Sequence, residues 1–176
     1  NGGNAGVQEG QATTTGYMLF KRFNRSISKT SPGVASQNRP SIIFRLADFY
    51  LIYAEVANEV NPSDSRVLTY LNLVRERAGL PKVEVLNPGI VGNKELQRAA
   101  IQRERQIELA TEGQRYFDVR RWMIADKDGE GRQNGYAHGM NVRGTINDTE
   151  EFNRVVETEK IVFNRKMYLQ PIPDHE

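Results

Sequence analysis

The segments RLADFYLIYAEVAN (Arg45–Asn58) and LNLVRERAGL (Leu71–Leu80) decide the fold that we expect for this chain. The first segment predicts a helix over about 44–59. Its polar side chains are separated by three or four residues, or by their sum of seven, so they lie on one narrow stripe of the helix. These residues are Arg45, Asp48, Glu55 and Glu59. Most of the remaining circumference is apolar. We therefore expect this helix to be packed on several sides, near the centre of the fold.

The second segment predicts a partner helix. Asn61-Pro62 is a typical helix start, and Gly79 is expected to end the helix in the left-handed conformation, with Pro81 preventing continuation. A link this short between two helices favours an antiparallel αα-hairpin, the unit of tetratricopeptide-like arrays. No second copy at that period occurs within the chain, so the sequence does not predict a repeat array.

Further along, Asn93 is expected to cap a third helix, and Gly113 separates it from a short fourth one. We predict helices over 94–111 and 114–123, loops over 82–92 and 125–144, a helical turn over 151–156, and extended segments over 160–164 and 167–170. The fold class is therefore mainly α, with long loops and a few short strands. We expect one domain with a loop-rich lead-in (1–43), a helical core (44–123) and a region of loops and short extended segments (124–176).

Composition excludes several function classes. The 24 basic and 22 acidic residues are interleaved, so no nucleic-acid surface is expected. No run of about 18 apolar residues exists to span a membrane. The lack of cysteine excludes disulfides, thiolate zinc sites and cysteine nucleophiles. The polar lead-in over 1–16 indicates that the chain is part of a longer protein.

The most unusual segment, Ile101–Trp122, contains three carboxylates at i, i+4 spacing: Glu104, Glu108 and Glu112. Because they share one helix face and repel one another, we expect arginines to face them. The predicted ion-pair network takes Arg45 from the hairpin and Arg105, Arg115 and Arg121 from the segment itself. Arg75, Arg77 and Arg120 are further candidates.

A chemical role for these glutamates is the alternative. Paired carboxylates serve glycoside hydrolysis across a cleft, and a di-iron centre needs Glu-x-x-His motifs. Neither His138 nor His175 has that spacing. Asp126–Gly131 resembles the front of a calcium loop but has Ala137 where the bidentate glutamate belongs, which favours a solvated turn. We expect no catalytic residue, metal or cofactor.

Sugar recognition uses aromatic faces beside planar polar groups, and loop aromatics are the candidates. The predicted glycan-binding residues are Tyr17, Arg22, Phe23, Arg132, Asn134 and Tyr136, with His138 nearby. Packing of each aromatic ring against the helices is the competing interpretation. Trp122, the single tryptophan, is expected to pack in the core.

Four blocks of the sequence, in this order, resemble the SusD/RagB family. They are TGYMLFKRF (Thr15–Phe23), the hairpin segments quoted above, ERQIELATEGQRYFDVRRW (Glu104–Trp122) and YLQPIPDHE (Tyr168–Glu176). The third is similar to the family's ER-x-x-EL…EG-x-R-x-x-D-x-RRW signature, and the last to its closing YLLPIP-x-x-E. The family's lipidated N-terminus, its N-terminal helices and the tail that follows PIP-x-x-E have no counterpart here. No binding residue transfers by motif.

The resemblance implies a C-terminal portion of a mostly helical, non-catalytic glycan-binding protein. It also implies a lipid anchor outside this chain, a place on the outer membrane at the cell surface, and a SusC-like TonB-dependent transporter as partner. Oligosaccharide or polysaccharide would be the ligand. A tetratricopeptide-like protein-interaction scaffold without sugar binding is the alternative function.

Overall fold

Two apolar cores organise the structure, a computed structural model that describes residues 21, 42–127, 135–140 and 155–169. The chain divides into two units, one over Pro40–Asp118 and the other over Asn1–Arg39 together with Val119–Glu176. The predicted fold class, mainly α with a few short strands, is confirmed. Across the described ranges, no helix combines the length and the apolar character needed to cross a lipid bilayer.

The Pro40–Asp118 unit is helical. Its described elements are α1 (Leu46–Val60), α2 (Arg66–Arg77), α3 (Val83–Leu86), a 3-10 turn (Pro88–Ile90), α4 (Lys94–Glu108) and the first residues of α5 (Gln114–Arg121). The core contains apolar side chains at helical spacing from α1, α2 and α4, closed by two residues of the 82–92 connection. These residues are Ala47, Leu51, Ala54, Val67, Leu71, Val74, Val83, Ile90 and Ile101.

Both ends of α2 have a local cause. The predicted start at Asn61 is wrong, because the Asn61 side chain accepts a hydrogen bond from the Ser63 N–H and closes a turn. Asp64 then accepts from the N–H of Arg66, where the helix begins. At the other end Gly79 is left-handed, with φ 75°, as predicted. The N–H groups of Gly79 and Leu80 bond the carbonyls of Glu76 and Arg75, which completes a Schellman motif.

Asn93 caps α4 as predicted, since its side-chain oxygen accepts from the Leu96 N–H at 3.1 Å. The helix ends at Glu108, earlier than the predicted 111. Thr111 and Gly113 have φ values of 69° and 81°, so the chain turns there instead of continuing. The region 82–92, predicted as a loop, contains α3 and the 3-10 turn.

The second unit has its own small core of Val119, Ile124, Ala125 and Phe163. Trp122 packs half-buried against this core, which confirms the predicted packing role. The strands β1 (Gly135–Met140) and β2 (Val155–Ile161) pair antiparallel, with an irregularity between Tyr136 and His138.

Three local predictions in this unit are wrong. A strand occupies part of the predicted 125–144 loop, β2 begins at Val155 where a helical turn was expected, and a 3-10 turn covers Arg165–Tyr168 in place of an extended segment. The sequence was a weak guide because strand pairing depends on a partner far along the chain.

Two leucines of α2, Leu71 and Leu73, allow a matched test of the first core, because they differ in burial but not in residue type. Leu71 is fully buried, whereas Leu73 is 40% exposed. We expect Leu71→Ala to lower the free energy of unfolding by about 2–5 kcal/mol, because it opens a cavity in the core. Leu73→Ala should cost under about 1 kcal/mol. Urea titration followed by circular dichroism measures both, and equal losses would contradict this account of the core.

Candidate functional site

A buried guanidinium lies at the centre of the charge network. Arg105 of α4 donates from Nη1 to Asp48 Oδ1 at 2.8 Å, and from Nε to Asp118 Oδ2 at 2.9 Å. All three side chains are at least nine-tenths buried. Arg105 therefore ties α4 to α1 and to α5. The sequence assigned Arg105 to the glutamates, whereas the structure pairs it with aspartates.

Arg45 forms the second cluster, at the N-cap of α1. Its backbone is extended, with φ −148° and ψ 156°. Its Nε donates to Glu112 Oε2 at 2.7 Å, Nη1 pairs with Glu108 Oε1, and Nη2 donates to the Glu108 carbonyl. Burial lowers the pKa of Arg45, but the hydrogen bonds to Glu112 and Glu108 outweigh burial and hold the pKa above its usual value. The guanidinium therefore stays charged and keeps the end of α4 against the start of α1.

The remaining glutamate of the predicted trio faces α2. Glu104 accepts from Arg75 Nη1 at 2.7 Å, and both side chains are largely buried. Arg75 also donates through Nε to the Pro81 carbonyl, so it fixes the chain just after α2. Arg77 donates to Glu108 at 2.6 Å from a more exposed position.

The structure thus divides the predicted network. Arg45, Glu108 and Glu112 come together, and Glu104 is held by Arg75. Arg115 lies half-buried in α5. Arg121 belongs to the second unit, where its guanidinium stacks over the Trp122 ring at 4.6 Å from the centroid.

Sequence reasoning missed Asp48 and Asp118 as partners. Asp48 was visible as one of the polar residues of the first helix, and Asp118 as the acid just before the Arg120-Arg121 pair. Spacing along one helix could not find them, because their common partner lies 57 and 13 residues away.

The structure does not describe the side chains of the predicted glycan-binding residues. Tyr17, Arg22, Phe23, Arg132 and Asn134 lie outside the described residues. Tyr136 is in β1, where the structure describes the backbone and not the side chain. Glycan contact by these residues stays a prediction.

Asp126 begins the segment that resembles the front of a calcium loop. Its Oδ1 accepts from the Tyr168 hydroxyl at 2.6 Å, and its N–H donates to the same hydroxyl at 3.1 Å. Residues 128–131 of that segment lie outside the described ranges. Among the residues that are described, no group of three acidic or histidine side chains could hold a metal ion.

A more exposed ion cluster joins the end of α1 to the start of α4. Glu59 pairs with Arg98 at 2.7 Å and with Lys94 at 2.9 Å, and Arg98 also contacts Glu95. The hydrogen bond from Arg98, and then that from Lys94, outweigh burial and lower the pKa of Glu59 to about 2. The folded state therefore keeps this carboxylate ionised well below neutral pH.

The contacts of these carboxylates suit a structural role, in which ion pairs hold helices together, better than a catalytic one. The carboxylates of Asp48, Glu104, Glu108, Glu112 and Asp118 each accept a hydrogen bond from an arginine. A substrate would have to compete with those guanidinium groups for the same oxygens. The network therefore connects helices.

Comparison with known proteins decides the family. The model of the SusD family matches the chain over residues 1–176. The chain belongs to the SusD family. Among curated relatives, SusD-like protein P25 of Formosa agariphila is 44% identical over 106 residues, which cover 60% of this SusD-family chain. A SusD-like protein of Bacteroides ovatus is 36% identical over 120 residues, covering 61% of the chain.

Solved structures agree with the family. BT4246, in its selenomethionine form, matches with a TM-score of 0.60 and 34% identity over 77% of this SusD-family chain. The match covers 22% of the BT4246 chain. Likewise, the matched regions span 19% and 20% of the two curated relatives, so this chain corresponds to about a fifth of their length.

Arg105 and Arg98 form a matched pair for testing the buried brace, since both lie on α4 and each contacts two carboxylates. Arg105→Met leaves two buried aspartates without their cation, and should cost about 3–5 kcal/mol of unfolding free energy. Arg98→Met acts near solvent and should cost about 1 kcal/mol or less. Chemical denaturation gives both values. Similar losses for the two variants would show that Arg105 is not the brace.

Glu59 predicts a pH dependence of stability. The pKa of Glu59 is about 2 in the folded state and 4.5 in a free side chain. The contacts of Glu59 with Arg98 and Lys94 therefore stabilise the fold fully above pH 4.5. That contribution is lost as the pH falls from about 4.5 to 2. In Glu59→Gln, the melting temperature should fall less steeply over this range than in the unmodified protein. Glu76→Gln is the control, because Lys82 lies 3.5 Å from Glu76 on an open surface, and it should follow the unmodified protein.

Proposed function

We propose that this chain is part of a non-catalytic glycan-binding subunit that captures oligosaccharide for a polysaccharide uptake system. The observation that carries the proposal is the match to the SusD family along all 176 residues. In this proposal the braced helices act as a scaffold, and the loops that flank them bind the sugar.

The helical unit is suited to a scaffold. Its buried pairs join residues far apart in sequence, since Arg45 reaches Glu108 and Arg105 reaches Asp48. Loops attached to such cross-linked helices lose less entropy on binding than loops on a mobile support. Weak sugar contacts, each a stacked ring or a hydrogen bond, profit most from that preorganisation.

The occupied carboxylates support a non-catalytic role. A glycoside hydrolase needs one carboxyl group to donate a proton and another to face the sugar or a water molecule. In the described glutamate cluster, Arg45, Arg75 and Arg77 already bind the carboxylates that would be required.

Location and partner follow from the same proposal. The protein would be held on the outer membrane, at the cell surface, by a lipid anchor outside this chain. It would deliver oligosaccharide to a SusC-like TonB-dependent transporter. Attachment to the transporter would raise the effective concentration of captured sugar at the entrance, so weak binding would suffice.

A tetratricopeptide-like scaffold that binds protein instead of sugar is the second candidate. It is favoured by a row of exposed apolar side chains along α1, including Leu46, Phe49 and Val56. Helical hairpins bind amphipathic partners through such rows. Saturable peptide binding in the absence of sugar binding would support this candidate.

Isothermal titration of the intact protein against a panel of oligosaccharides tests the proposal. We expect saturable binding to at least one glycan, weakened about two- to ten-fold by Tyr17→Ala or Tyr136→Ala, because a stacked ring contributes about 0.5–1.5 kcal/mol. Tyr116→Ala is the matched control, since Tyr116 is an exposed tyrosine of α5 outside the predicted set. It should leave the affinity unchanged.

The same samples decide the competing functions. Reducing sugar that accumulates with time would contradict the non-catalytic role. Full affinity in both Tyr17→Ala and Tyr136→Ala would reject those two residues as the site while leaving capture intact. No saturable binding to any glycan of the panel would overturn capture itself.

A further inference from the structure

The hydroxyl of Tyr168 forms two hydrogen bonds with one residue of the second unit. It donates to Asp126 Oδ1 at 2.6 Å and accepts from the Asp126 N–H at 3.1 Å. Both residues are half-buried. Because water competes less for hydrogen bonds in such a place, the Tyr168–Asp126 pair fixes the side chain and the backbone of Asp126 together.

A short capped turn brings Tyr168 to this position. Asn164 precedes the 3-10 turn Arg165–Tyr168. Its N–H donates to Met167 Sδ at 3.2 Å, and its carbonyl accepts from the Met167 N–H at 2.8 Å. These local bonds reverse the chain, so the Tyr168 ring meets the Phe163 ring edge-on, with 5.0 Å between the centroids. Aromatic pairs prefer this geometry.

Phe163 connects that turn to the small core and to the sheet. Its side chain is buried in the core of the second unit, and the Arg120 guanidinium lies over its ring at 5.0 Å from the centroid. Phe163 follows Ile161, the last residue of β2, by only two positions. Strand β2 therefore leads directly into a contact that cannot move without disturbing the core.

The same contact supports a sheet that would be weak by itself. A two-stranded sheet is marginally stable in water, and the β1–β2 pairing contains an irregularity between Tyr136 and His138. Gly135, the first residue of β1, pairs with Ile161. The next pair joins Tyr136 to Lys160. The register of β1 therefore depends on the end of β2, and a shift of one residue would move every β1 side chain to the opposite face.

The segment between Asp126 and β1 is thus held at both ends. Tyr168 binds Asp126 where that segment begins, and Ile161 pairs with Gly135 where it ends. Both anchors come from one short stretch, 161–168, which contains the capped turn. The Tyr168 hydroxyl closes a ring of contacts that includes the start of β1.

We propose that the Tyr168–Asp126 pair is a positioning contact for glycan binding, which holds β1 in the register that places Tyr136 at the sugar. This role rests on the proposed function, in which Tyr136 stacks on the ligand. Tyr168 and Asp126 act through the two strands and do not contact the sugar. Weak sugar contacts depend on such preorganisation, because ordering a loose strand on binding would consume much of the binding free energy.

Removal of single polar groups from the intact protein tests this role. Tyr168→Phe keeps the ring and loses the hydroxyl, Asp126→Ala loses the acceptor, and Asp126→Asn keeps a carbonyl oxygen for the hydroxyl. Tyr70→Phe is the matched control, since it makes the same change in the helical unit, on a ring that packs against Tyr50 and Tyr53. Each variant is titrated with the panel of oligosaccharides. Hydrogen exchange is measured at the amides of β1 and α1, at a temperature where every variant is folded.

We expect Tyr168→Phe and Asp126→Ala each to weaken glycan binding about two- to ten-fold, the range that loss of one hydrogen bond gives. Exchange at the β1 amides should rise by a similar factor because the strand opens more often, while exchange at α1 stays unchanged. Asp126→Asn and Tyr70→Phe should resemble the unmodified protein in both measurements. Combining Tyr168→Phe with Asp126→Ala should weaken binding no further, because both changes remove the same contact.

Three results would overturn the positioning role. Unchanged affinity in both Tyr168→Phe and Asp126→Ala would remove the pair from glycan binding. Lower affinity without faster exchange in β1 would mean that the pair contacts the sugar directly. Equally faster exchange in β1 and α1 would mean that the pair supports the fold in general. The proposed function fails in a different way, when the unmodified protein itself binds no glycan of the panel, and the positioning role then falls with it.

Discussion

The buried cation of Arg105 is the constraint on which the helical unit depends. Bringing a guanidinium and two carboxylates out of water costs several kcal/mol per ion, and only close, directed hydrogen bonds recover that cost. Arg105 meets the condition with Asp48 on one side and Asp118 on the other, at distances of 2.8 to 3.2 Å. A shift of α1 or α5 along α4 would leave a buried charge without its partner. Apolar packing alone tolerates such shifts far better, so the charges determine the register of these helices.

Arg45 performs a related task at the edge of the unit. The turn after α4 contains Thr111 with φ 69°, a left-handed conformation that disfavours a β-branched residue by about 1–2 kcal/mol. The next residue, Glu112, is held by Arg45, which also binds Glu108 and its carbonyl. Because Arg45 forms hydrogen bonds with residues on both sides of Thr111, these contacts offset the strain there. The direction in which α5 leaves α4 is thus set by an arginine more than sixty residues upstream.

Helix α1 connects these braces with the apolar core. Its Asp48 pairs with Arg105, its Ala47, Leu51 and Ala54 lie in the core, and its Leu46, Phe49 and Val56 are exposed. A helix with three such faces has little freedom of rotation, since turning it by one residue would misplace all three.

Local chemistry in the sequence was sufficient for the elements with local causes. Asn93 caps α4 and Gly79 ends α2 as expected, because caps involve residues only a few positions apart. The hairpin helices were predictable from periodicity for the same reason. The start of α2 was mistaken because Asn61 can close a turn as well as cap a helix, and sequence does not distinguish these uses.

What the sequence by itself determined was the helical class, the cap that starts α4, the glycine that ends α2 and the need for cations beside the glutamates. Only the tertiary structure decided which arginine meets which acid, since Arg105 takes Asp48 and Asp118 while Glu104 takes Arg75. It also decided that α4 ends at Glu108 and that one apolar face of α1 is exposed. The physical reason is the same in each case. Helix formation depends on neighbours three or four residues apart, whereas ion pairing and burial depend on segments that are distant in sequence and become adjacent only when the chain is folded.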